Sequence, residues 1–130
     1  MVEIKLRWRI KRTTKNGKEY PIYYISVPMR SAVFLMDFDP WLDPVNKVIV
    51  LRPKQNYIQY ITAENTFELR LRWRIKFTKK NGKKFPLYYI SIPGKSAVFL
   101  LDREPYLDPV NKVIIFKPKQ QNNTQNNQSQ

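Results

Sequence analysis

Residues 7–27 read R-W-R-I-K-R-T-T-K-N-G-K-E-Y-P-I-Y-Y-I-S-V, and 65 positions later residues 72–92 read R-W-R-I-K-F-T-K-K-N-G-K-K-F-P-L-Y-Y-I-S-I. Laid over each other without a gap, residues 3–54 and 68–119 agree at 35 of 52 positions. A unit of about 50 residues is marginal alone and gains by covering its apolar face with its twin. The expected fold is therefore mainly β, with at most short helices. Two tandem repeats, residues 1–54 and 68–119, would pack about an approximate two-fold axis, as a homodimer written in one chain. Residues 55–67 would join them. The segment Q-N-Y-I-Q-Y-I-T-A-E-N-T-F is too apolar for a free tether, and is expected to pack on the body. Residues 120–130 hold only Gln, Asn, Ser and Thr, with nothing to bury, and are expected to be disordered.

Each repeat opens with strict alternation. Ile4, Leu6, Trp8 and Ile10 share one face, and Lys5, Arg7, Arg9 and Lys11 the other. In the second copy Leu69, Leu71, Trp73, Ile75 and Phe77 are expected to face inward, and Arg70, Arg72, Arg74 and Lys76 outward. Period 2 is the pattern of a half-buried strand. Asn16-Gly17 and Asn81-Gly82 follow. Asn-Gly between alternating strands signals a type I′ hairpin, which needs positive φ at both central residues. Lysines surround both turns: Lys15 and Lys18, then Lys79, Lys80, Lys83 and Lys84. The return strands Tyr20–Val27 and Phe85–Ile92 are aromatic and β-branched. Tyr23-Tyr24 and Tyr88-Tyr89 place one ring on each face, one for the core and one free to stack on a base or lie among the cations.

A row of four cations about 6.6 Å apart on one strand face repels itself unless counter-charge is near. A phosphate backbone supplies that counter-charge. A solvated face that blocks edge-to-edge pairing is the other reading. The whole chain tips the balance. Lys and Arg number 24 against 10 Asp and Glu, a net charge of +14, so the acids are too few to neutralise the bases by ion pairing. An acidic polymer is the natural partner. A lysine-tipped two-stranded ribbon fits the major groove of B-DNA.

After Pro28 and Pro93 come M-R-S-A-V-F-L-M-D and G-K-S-A-V-F-L-L-D, expected as short helices from about Met29 and its counterpart. Asp37, Asp39 and Asp43, matched by Asp102, Glu104 and Asp108, either hold a hard cation or start turns. Asp-Pro-Val-Asn-Lys between two strands favours the turn. No metal site is expected. Val48–Leu51 and Val113–Phe116 are the last strands, stopped by Pro53 and Pro118.

Taken together, the basic glycine-turn hairpin, Y-Y-I-S-V-P or Y-Y-I-S-I-P, a basic residue and short apolar segment, and K-V-I-V-L-R-P or K-V-I-I-F-K-P resemble the AbrB/SpoVT family of swapped-hairpin DNA-binding domains. The family's usual Leu-Gly and Gly-Asp marks are replaced by D-F-D-P-W-L-D-P-V-N-K and D-R-E-P-Y-L-D-P-V-N-K. The resemblance implies two interleaved copies and DNA contacts from basic residues of the first hairpin. On this chain those are Arg7, Arg9, Lys11, Arg12, Lys15 and Lys18, and Arg72, Arg74, Lys76, Lys79, Lys80 and Lys83.

The function expected is double-stranded DNA binding through basic hairpins, as a transcriptional regulator or architectural protein in the cytoplasm, on the nucleoid. A single-strand binder would instead stack bases on Trp41, Tyr106 and the tyrosine pairs in a basic groove. A nucleoprotein coat subunit is the third reading. The chain would act as a monomer with internal symmetry or as a further homodimer. Catalysis has little footing: with no His and no Cys the commonest general base and the readiest nucleophile are missing. An enzyme is not expected, nor is a cofactor. No apolar run is long enough to span a membrane, and the charged, alternating start of the chain does not read as a leader.

Overall fold

The computed structural model describes residues 3–54 and 68–119. The expectations for residues 55–67 and 120–130 lie outside the described residues. In chain order the elements are β1 (Ile4–Lys5), β2 (Arg7–Lys15), β3 (Lys18–Val27), α1 (Met29–Leu35), β4 (Phe38–Asp43) and β5 (Val48–Pro53). The second copy repeats them as β6 (Leu69–Arg70), β7 (Arg72–Lys80), β8 (Lys83–Ile92), α2 (Gly94–Leu100), β9 (Arg103–Asp108) and β10 (Val113–Pro118). The mainly β character read from the periodicity is what the chain adopts. The short apolar segments after Pro28 and Pro93 form short helices, each burying an alanine and a leucine.

Two antiparallel sheets form. One has six strands in the order β1-β9-β10-β5-β4-β6, the other four in the order β2-β3-β8-β7. Both mix strands of the two copies. At the centre of the four-stranded sheet β3 meets β8 with Ile25 opposite Ile90. At the centre of the six-stranded sheet β5 meets β10 with Ile49 opposite Ile114. Each of these residues faces its own counterpart from the other copy, and all four are fully buried. The sheet edges are exchanged as well. Ile4 of β1 pairs with Leu107 of β9, and Leu69 of β6 pairs with Leu42 of β4.

The alternating run at the start of each repeat serves both sheets. Ile4 and Lys5 belong to the six-stranded sheet, and from Arg7 onward the strand belongs to the four-stranded one. Leu6 is the corner. Its N–H donates to Pro105 O at 2.8 Å, and Leu71 N–H donates to Pro40 O at the same distance. A strand that switches sheets joins the two layers of a sandwich directly. Leu6 and Leu71 keep their inward phase through the corner and are buried.

The core lies between the sheets. Ile25, Val27, Ile90 and Ile92 from one meet Leu42, Ile49, Leu51, Leu107, Ile114 and Phe116 from the other, with Ala32, Leu35, Ala97 and Leu100 closing from the helices. Burying side chains of this size contributes roughly 1.5–3 kcal/mol each. Two tryptophans bridge the copies. Trp8 Nε1–H donates to Arg103 O and Trp73 Nε1–H to Phe38 O, both at 2.9 Å. Trp8 also stacks on Phe116 with ring centroids 5.8 Å apart.

The expected inward faces end sooner than the alternation. Ile10 is 54% exposed, Ile75 45% and Phe77 68%. β3 and β8 pair only over residues 23–27 and 88–92, whereas the hairpins run on to Asn16-Gly17 and Asn81-Gly82. Beyond the paired region no second layer of described residues lies beneath them, and Ile10, Ile75 and Phe77 stand exposed on the ribbons.

Candidate nucleic-acid interface

The four-stranded sheet turns one face to the core and one to solvent. Strand register fixes which residues share the outer face. Arg7 lies opposite Ser26, Arg9 opposite Tyr24, Lys11 opposite Ile22 and Lys15 opposite Lys18. In the other hairpin Arg72 lies opposite Ser91, Arg74 opposite Tyr89, Lys76 opposite Leu87 and Lys80 opposite Lys83. Because Tyr24 pairs with Ser91 and Ser26 with Tyr89, two continuous rows cross the sheet: Arg9-Tyr24-Ser91-Arg72 and Arg7-Ser26-Tyr89-Arg74. The tyrosine rings meet at the centre with centroids 5.5 Å apart. An open depression of about 330 Å³ beside them is lined by Arg9, Lys11, Tyr24, Lys76, Leu87 and Tyr89 among others.

Among the described residues, every charged side chain of this face is a cation. Arg7, Arg9, Lys11, Lys15 and Lys18 with Arg72, Arg74, Lys76, Lys80 and Lys83 put ten positive charges on it and no carboxylate. Of the predicted contact residues, Arg12 and Lys79 lie on the opposite side of their ribbons, opposite Pro21 and Lys84. The other ten share the outer face.

β3 and β8 run antiparallel and overlap at their C-terminal ends. The two hairpins therefore leave the body in opposite directions. With eight residues from each centre to each turn, the tips stand about 50 Å apart along the strands at roughly 3.3 Å per residue. Each turn is type I′. Asn16 and Gly17 have φ of 55° and 79°, and Asn81 and Gly82 54° and 79°. Nothing lies within 4 Å of the place a Cβ would occupy on Gly17 or Gly82, so both tips are open to solvent.

Trp41 and Tyr106, the stacking candidates, are elsewhere. Both lie on the outer face of the six-stranded sheet, half-buried. The Arg52 guanidinium sits 6.0 Å from the Trp41 ring centre, and Lys117 Nζ sits 4.9 Å from that of Tyr106. Tyr106 O–H also donates to Glu104 at 3.2 Å. Tyr24 and Tyr89 stand among the cations instead. The sequence carried that signal in the paired tyrosines, but only the cross-strand register tells which ring of each pair faces out.

The ion-paired acids lie at the other sheet. Arg52 donates through Nη1 and Nη2 to the two carboxylate oxygens of Glu68, Lys117 meets Glu3 at 2.6 Å, and Lys5–Glu104 and Arg70–Asp39 are 3.3 Å apart. Asp43 and Asp108 are turn residues. Each accepts backbone N–H bonds from the second and third residues after it at 3.0 and 3.1 Å, and the amide of Asn46 or Asn111 at 2.8 Å. Those bonds, with the asparagine amide foremost, hold both carboxyls below their ordinary pKa. Lys47 and Lys112 close the same turns with φ of 57°. Among the described residues no group of three acids converges as a metal site, and no helix is long and apolar enough to cross a membrane. No protein-family model, curated protein or solved structure matches this chain significantly.

Proposed function

We propose that this protein binds double-stranded DNA, as a regulator or architectural protein, by laying the outer face of its four-stranded sheet against phosphate backbones. The observation that carries the reading is the segregation of charge. Ten cations without a carboxylate share one exposed face, while the acids of the opposite sheet hold its cations in ion pairs. Such a face is costly in self-repulsion unless a polyanion meets it.

Its extent matches a duplex. Tips about 50 Å apart span some 15 base pairs at roughly 3.4 Å each. The pairing of Ile25 with Ile90 and of Ile49 with Ile114 supports reading the two copies as halves about an approximate two-fold axis. Exchanged edge strands fit the likeness to swapped-hairpin domains. A cytoplasmic, nucleoid-associated location follows from the partner proposed.

Tyr24 and Tyr89 favour a second reading. Two half-buried rings on the outer face, flanked by arginine, are also a platform for unstacked bases in a single strand. Titrating the protein against a 30-base-pair duplex and against either of its strands, at one salt concentration, separates the two. Tighter duplex binding is expected. Tighter single-strand binding, lost on Tyr24→Ala with Tyr89→Ala, moves the assignment to the second.

A further inference from the structure

The two hairpins differ most where they reach furthest. On the outer face their tips match: Lys15 lies opposite Lys18, and Lys80 opposite Lys83. On the other face they do not. Thr14 lies opposite Glu19, whereas Lys79 lies opposite Lys84. Arg12, one step further from its tip, offsets Glu19, so the underside of the β2–β3 ribbon is neutral. Its counterpart Phe77 is uncharged, so the underside of the β7–β8 ribbon carries two positive charges and no negative one. All of these side chains are exposed.

The β7–β8 tip thus has two like-charged cross-strand pairs stacked on successive rungs, one on each face of the ribbon. Like charges directly opposite each other destabilise a hairpin, and both pairs are relieved together where anions lie on both sides. A groove of duplex DNA offers that arrangement, with a phosphate backbone along each wall and a major groove wide enough for a two-stranded ribbon. The β2–β3 tip would bring Glu19 against the second wall.

We infer that the two arms bind unequally: the β7–β8 tip enters a groove and contacts both backbones through Lys79, Lys80, Lys83 and Lys84, while the β2–β3 tip lies on one backbone by its outer face. The bound site is then asymmetric although the fold is duplicated. This rests on the duplex-binding reading above and adds the orientation of the protein on its site.

The test is a pair of reciprocal exchanges in the full chain. Lys79→Thr with Lys84→Glu gives the second tip the underside of the first, and Thr14→Lys with Glu19→Lys does the reverse. Binding to a 30-base-pair duplex is followed by fluorescence anisotropy from ~0.05 to ~0.3 M salt. Two lost phosphate contacts flatten the log K against log salt slope by about 1.8, and weaken binding about thirtyfold near 0.15 M when referred to 1 M salt. The first exchange is expected to do at least this. The second is expected to steepen the slope and tighten binding, a gain that a damaged hairpin cannot mimic. The inference is overturned if the second exchange leaves affinity unchanged or weaker. It is overturned also if the first changes the slope by less than about 0.5 while Lys80→Ala with Lys83→Ala flattens it by about 1.8. If the unmodified protein binds no duplex at all, the functional reading fails, and the inference with it.

Discussion

The two sheets share one core and mix strands of the same two copies, yet they treat charge in opposite ways. Strands β2, β3, β7 and β8 carry thirteen Lys and Arg and a single acid, Glu19. The strands of the six-stranded sheet carry five Lys and Arg and four acids, and its outer face is laced by ion pairs, two of them closed by Glu3 and Glu68 at its edges. The excess charge of the molecule thus sits on one layer. Surface ion pairs of this kind contribute about 0–1 kcal/mol each, so the six-stranded sheet gains solubility and edge protection more than stability. The four-stranded sheet forgoes even that, which is the observation the proposed function rests on.

The largest loss is expected at the shared core. Ile25 and Ile90 face each other with no exposure, and both sheets depend on them. Ile25→Ala with Ile90→Ala is expected to cost about 4–8 kcal/mol in a denaturant titration, at roughly 2–5 kcal/mol per buried isoleucine less some relaxation. Loss of the cooperative transition altogether is the extreme of the same outcome.

A sharper cut separates the layers. Arg7→Ala with Arg9→Ala is expected to weaken duplex binding about thirtyfold near 0.15 M salt and to flatten the salt slope by roughly 1.8, while stability moves by less than about 0.5 kcal/mol. Lys5→Ala with Lys117→Ala, two cations removed from the other layer, is expected to leave the salt slope in place and to cost about 1 kcal/mol of stability or less.

The smallest effect belongs to the turns that close β4–β5 and β9–β10. The Asp43 and Asp108 carboxyls titrate below their ordinary range because the folded turns hydrogen-bond the charged form. Their contribution is therefore full above the unfolded value near 3.9, and is lost as pH falls through the lower folded value. The melting midpoint is expected to hold from pH 7 to about pH 5 and to fall below about pH 4. In Asp43→Asn with Asp108→Asn it is expected to start lower at pH 7 and to fall less.

Much of this was legible in the sequence, for local reasons. Asn16-Gly17 and Asn81-Gly82 fixed the hairpins because few other dipeptides tolerate two positive φ values. Pro28 and Pro93 marked where strand gave way to helix. Asp43 and Asp108 read as turn formers, and they are. The exchange of β1 and β6 between copies was not legible strand by strand. A two-residue strand has no period of its own, and Leu6 and Leu71 keep the alternation unbroken through the corner. Ile10, Ile75 and Phe77 continue the apolar phase past the end of the body, so alternation alone overstates the core. Trp41 and Tyr106 lie on the layer opposite the outer-face cations, a placement that only strand register decides. The outward tyrosines Tyr24 and Tyr89 needed the β3–β8 pairing to be singled out.

The central claim is that the four-stranded sheet holds duplex DNA through phosphates. Its most direct test is the salt dependence of binding of the unmodified protein to a 30-base-pair duplex. Six to eight phosphate contacts from a face of this charge predict a slope of log K against log salt of about −5 to −7. A slope shallower than about −2 contradicts the account, whatever the affinity, because the cations of that face would then not be meeting the backbone.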